Sequence, residues 1–316
     1  MTEASPGVLT SSLEPADYAA LEAARHGAAL VEFGRLPTFT VTGPDRVSWL
    51  NGLVTCDVRS VDSNRGNWGL FLDRLGKIQA VVSLLGNSET VYLGLLWGDA
   101  EAVGRELDAR LIMEDAELTL GEAHWRLWLG SSLPATSEHA QARGLITFSG
   151  EGVLEVFEGA PPSAEGSQVL SAAAWDVWRV QHGLPWGGID FTSSARPHEA
   201  SLERRAVSWS KGCYLGQEVV CMQDMRGKVK RSVRALTATA GPLEGSVGSD
   251  VYEAGKKVGQ ITTAVYDTRE GRWWLLGEVV LSALPSAPGK TALVWVRSPS
   301  DELPLETLET KVAARA

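Results

Sequence analysis

The feature that most constrains the fold is a change of texture at Arg231. Before it, stretches of helical period alternate with strand-like runs. After it, short β-rich runs at 233–236, 257–265, 273–280 and 291–296 are separated by Gly and Pro clusters. Such a pattern reads as a small all-β barrel or sandwich. The chain of 316 residues is also too long for one compact core and suits two or three packed units. The expected division is a flexible tail at 1–12, an α+β region at 13–232, a β domain at 233–300 and a second tail at 301–316.

Within the α+β region the punctuation is clear. Pro15 suits the first turn of a helix over 14–26, which Gly27 stops. Residues 36–42 alternate as a strand, and Gly43-Pro44-Asp45 opens a short helix closed by Asn51-Gly52. Runs at 69–73 and 77–85 flank Arg74-Leu75-Gly76 as a hairpin, with another strand at 90–96. Asp99 can cap a helix in which Val103, Leu107 and Leu111 share one face. Strands at 116–120 and 124–129 follow, then a Ser171-capped helix ending at Gly183 and Pro185.

Composition removes several classes of function. A formal net charge of −10 argues against nonspecific binding of DNA or RNA, so any anion site must be a local basic island. No apolar run reaches the roughly 20 residues of a membrane span. The opening segment carries Glu3 and no Lys or Arg, unlike the basic start of a secretory signal, and a cytoplasmic location is expected. Three cysteines, Cys56, Cys213 and Cys221, give neither a disulfide framework nor zinc-ligand spacing, and no metal site is expected.

The strongest local signal is Lys211-Gly212-Cys213-Tyr214-Leu215-Gly216-Gln217-Glu218. Glycines on both sides of the cysteine allow a tight turn or close approach to a ligand. Arg226, Lys228, Lys230, Arg231 and Arg234 follow, and an extended 226–230 segment would point Arg226, Lys228 and Lys230 to one face. Positive surroundings favour a thiolate. A fall in thiol pKa from about 8.5 to about 7.5 raises the thiolate fraction at pH 7 from roughly 3% to roughly 24%. The same residues also suit a small buried hydrophobe beside a solvated basic strand.

The segment Lys211–Glu218 resembles the K-G-C-(Y/F)-x-G-Q-E signature of the YgfZ family, a branch of the glycine-cleavage T-protein superfamily, and Arg226-Gly227 falls at its R-G pair. Further matches follow in order. Gly43-Pro44-Asp45-Arg46 with Trp49-Leu50-Asn51-Gly52 and Thr55-Cys56-Asp57 resembles one family segment, and Asp73-Arg74-Leu75-Gly76-Lys77 resembles its hairpin. Arg179 to Pro185 with Gly188-Ile189-Asp190 resembles R-x-x-x-G-(I/L)-P-x-x-G-x-D, and Pro197-His198-Glu199 fits P-x-E.

The resemblance implies two intertwined ferredoxin-like α+β modules and a C-terminal β-barrel around a folate pocket. Tetrahydrofolate, or a one-carbon derivative, is the implied cofactor. The implied role is assembly or repair of iron-sulfur clusters in client proteins, including enzymes that modify tRNA; from net charge and the lack of a long apolar run, neither DNA nor a membrane is expected as a partner. Cys213 and Lys211 are then the expected reactive pair, supported by Gly212, Tyr214, Gly216, Gln217 and Glu218. Glu199 could accept two hydrogen bonds from adjacent pterin N–H donors, or could be an ordinary glutamate in a first helical turn. Arg226 and Lys228 could receive the folate carboxylates, or could be solvated charges. The alternative activity is a folate-dependent aminomethyl or one-carbon transferase. Against it, the stretch Leu95-Leu96-Trp97-Gly98-Asp99 lacks the Asn-Ala lead of T-proteins, and Asp99 reads better as a cap.

Overall fold

The computed structural model describes residues 10–62, 64–134, 139–147, 151–227, 229–239, 249–284, 293–298 and 301–308. In chain order the first elements are β1 (Thr10–Ser12), α1 (Pro15–His26), β2 (Ala29–Thr42), α2 (Arg46–Asn51), β3 (Asn67–Leu72), β4 (Ile78–Gly86) and β5 (Val91–Gly98). Next come α3 (Ala100–Asp108), β6 (Glu117–Leu129), β7 (Ala142–Thr147), β8 (Glu151–Phe157), β9 (Gln168–Val169), α4 (Ala172–Gln181) and α5 (Gln217–Arg226). The last are β10 (Arg231–Thr239), β11 (Asp250–Glu253), β12 (Lys256–Asp267), β13 (Arg272–Val280), β14 (Leu293–Ser298) and β15 (Asp301–Thr307).

One sheet runs β3-β4-β5-β2-β6-β8-β7, with the short β9 added in parallel to β2. Its segment β6-β2-β5-β4, with α2 and α3 in the connections, has the order of a ferredoxin-like unit. β2 and β6 pair over their whole lengths and join the two halves of the sheet. The two strands expected at 116–120 and 124–129 are therefore the single β6. Trp125 on β6 lies so close to β5 that a Cβ at Gly94 would sit 2.5 Å from its ring, while its Nε1–H donates to Thr38 Oγ1 at 2.9 Å. A buried indole with a satisfied N–H is a rigid filler at this join.

The second sheet closes on itself. Strands β12-β11-β14-β15-β10-β13 pair in series and β13 returns to β12, giving the expected β-barrel with six strands. β1 adds in parallel to β12, so residues 10–12 are held against the barrel instead of trailing from it. β15 also lies past the boundary expected at residue 300. Pro304 and the surrounding acidic residues speak against a strand, yet Leu305 turns into the barrel core and Leu303 packs against it. Val233, Ala235, Val265, Trp274 and Leu276 contribute to the same core as α1, α4 and one face of the sheet. The barrel wall is therefore packed directly on the α+β region.

That junction holds a buried charge cluster. Arg179 on α4 is 1% exposed and donates to Asp176 Oδ1 at 2.6 and 2.9 Å, to Asp190 Oδ2 at 2.8 Å and to the Leu184 carbonyl at 3.1 Å. Asp190 also accepts from the Trp186 backbone N–H at 2.8 Å and from the Thr262 and Thr263 hydroxyls at 2.6 and 2.7 Å. Burial disfavours the guanidinium charge, but Asp190 and Asp176 together outweigh it and raise the Arg179 pKa above its ordinary value. Removing one member of such a cluster strands the other charge in a low-dielectric site. Asp190→Ala is expected to cost about 3–5 kcal/mol of stability. Arg35→Ala, which removes an exposed pair with Glu122, should cost under about 1 kcal/mol. Chemical denaturation of the two variants checks this, and equal shifts would contradict it.

Candidate functional site

The Lys211–Glu218 segment folds as a loop entering α5. Lys211 is buried, and its ammonium donates to the carbonyls of Asn51 at 2.5 Å, Val54 at 2.7 Å and Cys56 at 2.7 Å. Those carbonyls belong to the end of α2 and the turn beyond it, whose amides leave them free to accept. Leu215 N–H adds a bond to the Gly52 carbonyl at 3.1 Å. Lys211 thus ties the loop down by pointing inward. Its ammonium sits 5.4 Å from the centre of the buried Tyr214 ring. Burial pushes its pKa down to about 8, against the opposing pull of Cys56 and Asp57.

Gly216 caps α5 with φ 81°, and a Cβ there would meet the Asp73 carbonyl at 2.6 Å. The 73–77 hairpin, whose turn is held by Asp73 Oδ1 accepting from Leu75 N–H and Lys77 N–H, therefore lies directly on the start of α5. This glycine is demanded by the close approach. Gly212 is not; a Cβ there would meet open space. Cys213 is exposed at the outside of the loop. The side chains of Gln217 and Glu218 make no hydrogen bond within the described residues, so the orienting network expected of them is absent there. Glu218 instead occupies the first turn of α5, where a carboxylate suits the helix dipole.

The basic strip expected at 226–230 is not one extended run. Arg226 ends α5, exposed, and Gly227 breaks the helix with φ 57°. Ten helical residues span about 15 Å, so Arg226 stands at the far end of the helix from Cys213. Lys228 lies outside the described residues.

A cavity of about 720 Å³ opens between the 188–199 segment and the barrel. Phe191 and Glu199 line one side, and Lys230, Val233, Gln260 and Thr262 line the other. That volume suits a ligand of cofactor size. Glu199 is half-buried; its Oε2 accepts the Arg196 backbone N–H at 2.8 Å, and its own carbonyl accepts Val233 N–H at 3.0 Å. Oε1 forms a longer ion pair with the Arg196 guanidinium at 3.7 Å, beyond hydrogen-bond reach. Asp190 also lines the wall, but its carboxylate is spent on Arg179 and the threonines. Lys230, Gln260 and Thr262 were not singled out by sequence reasoning for this wall, because no local motif marks them.

Cys213 is not among the residues lining this cavity. His198, the neighbour of Glu199, has its Nε2 3.3 Å from Asp224 Oδ1, near the end of α5 remote from Cys213. His198 also packs edge-on to Trp209. Behind the cavity, Trp97 closes over Gly187 and Gly188 and meets Phe191 edge-on at 5.3 Å. Asp99, two residues on, accepts Ala102 N–H at 2.9 Å as the cap of α3.

This fold, a six-stranded barrel packed on a sheet of this order, is shared with a glycine-cleavage T-protein. The aminomethyltransferase T of the glycine cleavage system from Bartonella henselae superposes with a TM-score of 0.75, covering 98% of this chain and 92% of that one at 16% identity. No family model matches the chain. Its sequence is 27% identical over 263 residues to the tRNA-modifying protein YgfZ of Photobacterium profundum, covering 72% of this chain and 77% of that protein. The protein of that name from Vibrio vulnificus is 26% identical over 250 residues, covering 70% and 76%. That from Colwellia psychrerythraea is 24% identical over 303 residues, covering 87% and 90%. The chain is thus similar to the YgfZ proteins in sequence and shares the T-protein fold.

The buried ammonium of Lys211 makes a pH test possible. Its folded-state pKa of about 8 lies below that of free lysine, about 10.4, so the folded chain releases this proton first. Stability from this group is least below pH 8 and rises as pH climbs from about 8 toward 10.4. Wild type should therefore gain stability relative to Lys211→Met between pH 7 and pH 9.5, read as the difference in denaturation midpoints. A constant or shrinking difference would contradict the inward, desolvated placement.

Proposed function

We propose that the chain is a tetrahydrofolate-binding protein that acts in assembly or repair of iron-sulfur clusters in client enzymes, with Cys213 as its reactive group. The observation that carries this reading is the cavity of about 720 Å³ with Glu199 in its wall, set on a T-protein fold. Glu199 would hold the pteridine by accepting from its adjacent N–H donors. Phe191 offers an apolar face beside it. When bound, the folate supplies a one-carbon carrier. The chain's own contribution is to orient that carrier and keep an exposed thiol on a loop fixed by Lys211, Leu215 and Gly216.

The exposure of Cys213 supports work on a partner rather than inside the cavity. Names of relatives containing "tRNA-modifying" support tRNA-modifying enzymes among the clients. No described helix is long and apolar enough to cross a membrane; cytoplasmic clients fit this reading. The aminomethyltransferase alternative is less well supported, because Asp99 is engaged as a helix cap and Trp97 fills the space behind the cavity.

Two measurements test the proposal together. Addition of tetrahydrofolate should quench Trp emission, since Trp97 touches the cavity wall at Gly188 and Phe191. Glu199→Gln should weaken that binding about tenfold, the loss of one charge-assisted contact. Cys213→Ala should bind folate normally but fail to restore iron-sulfur enzyme activity in cells lacking this factor. Full restoration by Cys213→Ala would reduce the thiol to a structural residue. Absence of wild-type binding at near-millimolar folate would remove the premise.

A further inference from the structure

We infer that the adjacent side chains of Ile112 and Met113 are the point at which a client protein docks, and that the client presents to them an apolar pocket rimmed by Lys and Arg. The inference rests on the client reading above and names the docking surface and the chemistry of the partner. Ile112 and Met113 are 80% and 93% exposed, and they are the only sequence neighbours among the exposed large apolar side chains of the described residues. A single exposed apolar residue needs no explanation, but a pair held out on a stiff turn does. Glu114 Oε2 accepts the N–H of Ile112 at 3.1 Å and that of Met113 at 3.0 Å. On one flank Leu111 N–H donates to the Asp108 carbonyl at 3.0 Å, and the Leu111 side chain packs on the core. On the other flank Asp115 N–H donates to Asp45 Oδ2 at 2.9 Å, and its carbonyl accepts Asp45 N–H at 3.0 Å. A turn clamped on both sides presents its tip with little ordering left to lose on binding.

Charge selects the partner. Residues 106–115 hold four carboxylates, Glu106, Asp108, Glu114 and Asp115, against one cation, Arg110, which is paired with Glu106 at 2.6 Å. The backbone N–H groups of Met113, Glu114 and Ile112 hold the Glu114 carboxyl below its ordinary range, so the tip keeps its charge. An apolar tip in a negative ring repels nucleic acid and anionic lipid heads, and it complements a pocket with a basic rim. The proposed clients handle tRNA, and a surface that receives a polyanion is basic. The short helix α2 also fixes the tip relative to the thiol loop. Trp49 Nε1–H donates to the Arg110 carbonyl at 3.0 Å and Asp45 holds Asp115, while Lys211 is bound to the Asn51 and Val54 carbonyls beyond the other end. Six helical residues span about 9 Å, so the two loops hang on opposite ends of one short rigid element.

The test titrates the full chain into a purified iron-sulfur enzyme that modifies tRNA, taken from the cells used for complementation, with affinity read by calorimetry at two salt concentrations. Wild type should bind, and its Kd should rise with salt. Ile112→Ser/Met113→Ser should bind at least about tenfold more weakly. It should keep the wild-type denaturation midpoint, since neither side chain is buried. Asp108→Asn/Asp115→Asn should weaken binding severalfold and flatten its salt dependence, whereas Leu145→Ser, exposed on β7, should change nothing. Unchanged affinity in Ile112→Ser/Met113→Ser, or wild-type binding indifferent to salt, overturns the assignment. So does attachment of wild type to phosphatidylcholine vesicles, or a wild-type dimer, that this double variant loses; the tip would then belong to a membrane or to a second copy. If wild type binds no such enzyme, the docking assignment falls. The client reading falls with it only if wild type also fails to restore iron-sulfur enzyme activity in cells lacking this factor.

Discussion

Asp190 is the point on which the rest of the structure turns. One buried carboxylate ties α4 through Arg179, the 186–190 turn through the Trp186 amide, and the barrel strand β12 through two threonine hydroxyls. A buried ion pair is seldom the cheapest way to gain stability, because desolvation consumes much of the attraction. What it supplies here is geometry. Hydrophobic packing alone would let a barrel slide or rotate over an apolar face, whereas four directional bonds to one carboxylate admit one docking. The cavity beside Asp190 inherits its shape from that docking.

The loop that carries Cys213 follows the same logic on a smaller scale. Lys211 is used as an internal fastener, its three protons matched to three carbonyls. The thiol is left outside while the residue two positions earlier is drawn in. Between loop and cavity stands His198, on the same short turn as Glu199 and within reach of Asp224 on α5. The segment that carries Glu199 therefore touches α5 near the end of the helix remote from Cys213.

Much of the scaffold was legible in the chain. Pro15, Ser171 and Asp99 each mark the helix start they signal, because capping is a local transaction. The barrel showed in its turn chemistry. α5 did not: its cap is a left-handed glycine, and Val220 alone among its residues is buried, so neither a capping signal nor an apolar stripe announces it. Missing α5 is what made 226–230 read as a strand. Lys211 was legible as important and misread as a neighbour of the thiol, because sequence gives proximity along the chain and not the direction of a side chain. The cavity draws on four separate stretches around 188–199, 230–233, 260–262 and 278, and only folding brings them together. Glu199 is marked by the resemblance, while Lys230, Gln260 and Thr262 carry no local motif and meet only in the assembled wall.

The central claim is that the junction of barrel and sheet is a folate site built around Glu199. A crystal structure of the full chain with tetrahydrofolate tests it most directly. The account predicts a pteridine in the cavity within hydrogen-bond distance of Glu199 Oε1, with Cys213 still outside. Ligand density elsewhere on the chain, or a pteridine that leaves Glu199 untouched, would contradict it.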